Sequence, residues 1–165
     1  MITYVLVGLS ALVGFIYFVG PLFPGLHIYT EIEIDASPEA VYAALADLES
    51  YPEWNPYHVE VIGKAAVGEP LVVHISKPNG ETPTVHPHML RMEPKSELTW
   101  GGGMHGVFYG EHVFLLEETP TGGTHLIHKE DFTGIAVHFA SLDTIEEGYN
   151  QMNEALKAYL ESTNP

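Results

Sequence analysis

The chain has 165 residues, the length of one domain with room for an appendage. Six Lys and Arg stand against 22 Asp and Glu, a net charge of −16, so a phosphate backbone would repel it and nucleic acid is excluded as a partner. Arg91 is the only arginine and cysteine is absent, which excludes multi-arginine phosphate clamps, disulfides, thiol catalysis and Cys-based zinc or iron–sulfur sites. A mean hydropathy of +0.05 is high for so acidic a chain and implies that apolar and charged residues are segregated.

Residues 1–25 contain no Asp, Glu, Lys, Arg or His. Ile2–Val19 is an uncharged run of eighteen residues, apolar on every face. As a helix it would reach ~27 Å, close to the ~30 Å hydrocarbon core of a bilayer. Tyr4 and Tyr17 stand near its ends, where amphipathic rings favour the interface. The segment lacks the basic start and small-residue cleavage site of a signal peptide. These features predict a transmembrane anchor over residues 1–20, then a Pro/Gly linker over 21–26. Ser10 and Gly14 form a small-xxx-small pair, the expected contact face for other transmembrane helices. The first basic residue, Lys64, is too distant to set orientation, so the side of the membrane stays open.

Residues 27–165 form the predicted second part. His27–Asp35 alternates, with Ile28, Thr30, Ile32 and Ile34 on one face, and reads as a half-exposed strand. Ser37 and Pro38 mark a helix start as N-cap and first helical residue. Val41, Ala44, Leu45 and Leu48 give that helix its apolar stripe. Tyr51–Pro56 is a short helical turn ended by proline. Six strand-like runs follow, near 57–64, 70–77, 82–93, 97–101, 106–118 and 124–133, separated by turn signals such as Asn79-Gly80 and Thr121-Gly122-Gly123. A long amphipathic helix is predicted over 135–161, with Leu142, Ile145, Tyr149, Met152, Leu156 and Tyr159 buried. The expected class is α+β: a curved antiparallel sheet of about seven strands around a long C-terminal helix, with an apolar space between them.

The motifs Ile34-Asp35-Ala36-Ser37-Pro38-Glu39-Ala40-Val41-Tyr42, Tyr51-Pro52-Glu53-Trp54-Asn55-Pro56, Glu97-Leu98-Thr99-Trp100, Gly110-Glu111-His112-Val113-Phe114, His128–Gly134 and Gly148–Lys157 occur in that order. In this series residues 27–161 resemble the START-like, or Bet v 1-like, helix-grip superfamily, also called the SRPBCC or polyketide cyclase and lipid transport group. The resemblance implies a pocket for a lipophilic ligand. It spans lipid and sterol carriers, coenzyme Q binders, aromatase/cyclases and accessory proteins, so the fold does not choose among them. The common members lack the N-terminal span.

Strand parity nominates pocket residues. His112 and Phe114 share a face of one strand; His128, Glu130 and Phe132 share a face of the next. A turn centred on Thr121 sets His112 opposite Glu130 and Phe114 opposite His128. Trp54, Trp100, Tyr149 and Met152 complete the expected pocket. A buried His–Glu pair there serves as an anchor for a ligand hydroxyl or carbonyl, as an acid/base pair, or simply as a structural hydrogen-bonded pair. His86 and His88, with His74 or His105, have the look of a metal set, but Pro87 between them suggests a solvated edge strand. No metal or cofactor is expected. Gly101-Gly102-Gly103 lacks the Lys-Ser/Thr of a phosphate loop and is expected to be a flexible connection at the pocket mouth. No HExxH, GxSxG or other nucleophile motif is present.

The expected function is therefore a membrane-anchored binder of a lipophilic small molecule such as a lipid, quinone, isoprenoid or pigment. An accessory subunit of a larger membrane complex is the first alternative. A cyclase- or hydrolase-type enzyme using His112, His128 and Glu130 is the second.

Overall fold

The computed structural model describes residues 25–163 and, before them, Gly14 alone. The anchor predicted over residues 1–20 and most of the linker lie outside the described residues. Of the Ser10/Gly14 pair only Gly14 is described, helical and with nothing within 4 Å of where a Cβ would stand. Among the described residues no helix is long and apolar enough to cross a membrane.

The chain enters through β1 (Leu26–Ile34), whose alternation puts Ile28, Thr30 and Ile34 inside. Helix α1 (Pro38–Ala46) starts as expected: the Ser37 hydroxyl accepts from the Ala40 amide and Pro38 needs no donor at the first turn. A 3-10 turn (Leu48–Ser50) and the one-turn α2 (Tyr51–Trp54) follow. Then come β2 (His58–Gly63), β3 (Leu71–Ile75), β4 (Thr84–Val85), β5 (His88–Glu93), β6 (Glu97–Met104), β7 (Phe108–Glu118) and β8 (Thr124–Thr133), and finally α3 (Ile145–Thr163).

Eight strands are thus described instead of seven, in two sheets of order β1-β8-β7-β6-β5 and β2-β3-β4. The extra strand arises because the run predicted over 82–93 is cut in two. Pro87 has no amide to donate, so the ladder cannot continue through it. Thr84 and Val85 pair with β3, whereas His88–Glu93 pairs with β6. The last helix is also shorter than the predicted 135–161. Gly134 takes a left-handed conformation (φ 115), which ends β8, and Val137–Phe139 forms a separate 3-10 turn. Extended backbone at Ala140 then delays the helix to Ile145.

Helix α3 lays Ile145, Gly148, Tyr149, Met152, Asn153, Leu156 and Leu160 against the sheet at 3–4 spacing. Its far end is tied to β1: the Lys157 ammonium donates to the Glu33 carbonyl and the Asp35 amide to Glu161. Gly148 is required by close approach, since a Cβ there would stand 2.1 Å from the Tyr57 ring.

Candidate functional site

The antiparallel register sets three rows of inward-facing residues across β6, β7, β8 and β1. The first is Leu98–Phe114–His128–Thr30, the second Trp100–His112–Glu130–Ile28, the third Gly102–Gly110–Phe132–Leu26. His112 therefore faces Glu130 and Phe114 faces His128, the pairing expected from a turn at Thr121. The first row is sealed: Leu98, Phe114 and His128 have 0% exposure. The third row is short of side chains. A Cβ on Gly110 would lie 2.9 Å from Glu130 Oε1 and 3.1 Å from the Phe132 ring. Over the second and third rows opens a cavity of about 510 Å³, completed by Tyr57, Val85, Pro87, Leu142, Ile145 and Tyr149. That volume suits a small organic molecule, and most of the wall is apolar.

Behind the second row runs a hydrogen-bonded chain whose polarity is fixed. The His128 carbonyl can only accept, so the Thr30 hydroxyl donates to it (2.9 Å). The Thr30 oxygen then accepts from the Asn153 amide nitrogen (2.9 Å). This turns the Asn153 oxygen toward His128, whose Nδ1–H donates to it (2.7 Å). Burial holds the His128 imidazole at about 3, so the ring is neutral and its Nε2 is an acceptor. His112 Nε2–H must therefore donate to His128 Nε2 (2.7 Å). Burial, then the neighbouring His128 and His58, hold His112 well below the ordinary imidazole range, so it is neutral too. Its remaining nitrogen, Nδ1, is left as an acceptor on a side chain that lines the cavity.

Beside it, Glu130 is half-buried and lines the same cavity. Desolvation pushes its carboxyl up to about 7, against the hydrogen bond from Tyr149, which lowers it. The Tyr149 hydroxyl donates to Glu130 Oε2, and burial pushes that phenol well above its usual value. The Tyr149 ring stacks on His128 (centroids 3.9 Å) and on His112 (5.0 Å). His58 closes the back of the cluster 5.1 Å from His112; burial holds it at about 3, and its Nδ1 is buried without a partner among the described residues.

Of the residues nominated from sequence, Trp100, His112, Glu130, Phe132 and Tyr149 line the cavity. Phe114, His128 and Met152 are fully buried and not on its wall, His128 acting through His112. Trp54 is also away from the cavity, packed between Tyr51 and Tyr159 with its indole N–H on Ser50. Gly101, Gly102 and Gly103 line the cavity as strand residues of β6, not as a loose connection. Sequence reasoning missed Tyr57, Asn153 and Thr30. Asn153 did leave a signal, a polar residue on the apolar stripe of α3. Of the histidines weighed as a metal set, His74 meets Thr84 and Glu60, His105 stacks on Tyr109, and His86 lines the cavity. Among the described residues no group of three or more His, Cys, Asp or Glu is placed to hold a metal ion. A second depression, about 730 Å³ on the exposed acidic face of α3, is an open surface groove.

A curved sheet gripping a long helix around a polar-backed apolar cavity defines a helix-grip domain. The sequence matches the model of the polyketide cyclase/dehydrase and lipid transport family over residues 26–161, and the chain belongs to that family. Solved structures agree on the fold. A protein of Mesorhizobium loti is similar at 26% identity, with 85% of this chain and 100% of that chain covered and a TM-score of 0.65. The Zhui aromatase/cyclase of a Streptomyces species gives 16% identity, 84% and 94% coverage and a TM-score of 0.69. A START superfamily protein from Mycobacterium smegmatis gives 15%, 86% and 100%, and 0.66. No curated protein matches the sequence significantly.

Proposed function

We propose that the domain holds a lipophilic small molecule in the 510 Å³ cavity and that residues 2–19 tether it to a bilayer. The cavity carries this reading: a largely apolar space whose wall holds a few polar groups, His112, Glu130 and Tyr149 among them, the arrangement of a binding pocket. The tether is supported by connectivity. Leu26, which follows the predicted anchor and linker in sequence, heads the third row at the cavity end of the sheet. A pocket held at the bilayer meets its ligand at high local concentration and needs little intrinsic affinity. The charge of −16 gives anionic headgroups nothing to attract, which leaves the helix as the means of attachment.

The test is purification of the full chain from membranes in mild detergent, organic extraction and mass spectrometry. A stoichiometric apolar molecule, lost in Gly110→Leu, is the expected result. A folded protein that carries none and shields no apolar fluorescent probe overturns the reading. The same purification checks the accessory-subunit alternative, in which partner helices pack on Ser10 and Gly14: co-purifying membrane proteins support it, and a lone monomer removes it.

An enzymatic reading has one placement in its favour, a half-buried carboxyl on the cavity wall. Glu130, held near neutrality beside a cavity, is poised to give or take a proton. The assay is turnover of the extracted molecule: Glu130→Gln should cut it at least a hundredfold if the carboxyl transfers the proton, and turnover unchanged in Glu130→Gln removes this alternative.

A further inference from the structure

We infer that the inner wall of the cavity selects a ligand that presents a hydroxyl, or another N–H or O–H donor, to His112 Nδ1, and that the Thr30–Asn153–His128 chain sets this preference. The inference rests on the cavity-binding reading and goes beyond it by naming the polar chemistry of the ligand.

The polarity argument begins at a group that cannot change role. A backbone carbonyl only accepts, so each of the next links, Thr30, Asn153, His128 and His112, has its donor end assigned in turn. Both imidazoles are kept neutral by burial, so each has one donor and one acceptor nitrogen. The donor of His112 is spent on His128. Its Nδ1 takes no hydrogen bond from any described residue, on a side chain that lines the cavity.

The neighbouring groups reinforce the bias. The Tyr149 proton is committed to Glu130, and the Lys77 ammonium to Glu81 and the Ser141 carbonyl. Tyr57, on the same wall, keeps a hydroxyl able to donate. A ligand hydroxyl can accept from Tyr57 and donate to His112. A ketone or ether can only accept, and it leaves His112 Nδ1 desolvated and unpaired. Leaving a buried acceptor unmade costs enough for about a tenfold or larger loss of affinity. Sites built around a hydroxyl reject the analogue that lacks the donor for this reason.

The closing experiment has two arms, both on the full chain in detergent. The first reads the tautomers directly by ¹⁵N NMR of labelled histidine. His112 should show a protonated Nε2 and His128 a protonated Nδ1; the reverse pattern overturns the inference without any ligand. The second compares 2-naphthol with 2-methoxynaphthalene as probes. Naphthol should bind the native protein at least about tenfold tighter. In Thr30→Val the Asn153 amide loses its acceptor and is free to rotate, so the ratio should fall below about threefold, and Thr30→Ser should restore it. Equal binding of both probes by the native protein overturns the selectivity and leaves the cavity reading standing. Binding of neither overturns both. Should Thr30→Val fail to fold, the tautomer pattern and the native probe ratio still decide.

Discussion

The first and third rows of the sheet cross the same four strands, four residues apart along each, and end in opposite states. Leu98–Phe114–His128–Thr30 is closed, whereas Gly102–Gly110–Phe132–Leu26 borders the cavity. The backbone is continuous through both, so the difference lies in side-chain volume. Leucine and phenylalanine fill the space under α3 in one row; in the other, two glycines let Pro87, Glu130 and the Phe132 ring stand close against the strand backbone along the cavity wall. The middle row is the boundary, and there the polar groups gather: His112 with its back to the sealed row, Glu130 with its side to the open one. In this domain the cavity borders the row with the two glycines, and His112 and Glu130 stand where the apolar packing of the sealed row stops.

The largest effect should come from breaking the sealed row. Phe114 has 0% exposure and touches Trp100, His112 and His128. Phe114→Ala should lower unfolding free energy by about 3–5 kcal/mol, read by urea denaturation, and should also open the back wall of the cavity.

Next is the response to acid. His58, His112 and His128 sit below their ordinary value of 6.5 in the folded protein, and Glu130 sits above its ordinary 4.5. Between about pH 6.5 and 4.5 the unfolded chain binds protons at all three histidines. It gives up the one that folded Glu130 holds. Unfolding therefore takes up about two protons, and stability should fall by about 3 kcal/mol per pH unit on acidification. Glu130→Gln removes the opposing group, and its slope should steepen to about 4 kcal/mol per unit. Urea midpoints measured across this range check both slopes; a flat native profile would mean that the imidazoles are not buried neutral.

The open row yields a smaller effect on stability and a large one on binding. In Gly110→Leu the new Cβ alone would stand 2.9 Å from Glu130 Oε1 and 3.1 Å from the Phe132 ring. Neighbours must shift, at about 1–3 kcal/mol, and uptake of an apolar fluorescent probe should fall more than tenfold.

Much of this contrast was legible in the sequence, because parity and turn chemistry are local. The Thr121 turn fixed the β7–β8 register, and with it the facing of His112 and Glu130. Ser37-Pro38 announced α1 for the same reason. What escaped needed the third dimension. Tyr57 reaches the cavity wall only because Gly148, remote in sequence, lets its ring approach. Thr30 and Asn153 meet across β1 and α3, 123 residues apart. Trp54 departs from the expected pocket because an aromatic side chain beside a predicted pocket packs equally well behind it, here between two tyrosines. The last helix is shorter than its sequence pattern because Leu142 extends a 3–4 spacing, whereas the backbone at Gly134 and Ala140 breaks the helical course before Ile145.

The finest test concerns the sealed end alone. Helix α1 covers it with Val41 and Leu45, both with 0% exposure, and its first turn is capped by Ser37. The cap bond is long, 3.4 Å from the Ala40 amide to the Ser37 oxygen, outside the usual range for a strong N–H···O bond. Ser37→Ala should therefore cost only about 0.5 kcal/mol, the low end for an N-cap. The Val41 amide, bonded to the Ser37 carbonyl, keeps its partner in the variant. Because α1 contributes nothing to the cavity wall, probe affinity should stay unchanged while the urea midpoint moves slightly. A Ser37→Ala protein that lost probe binding would show that the sealed end supports the open one through its rigidity, and the two rows would then have to be treated as one coupled unit.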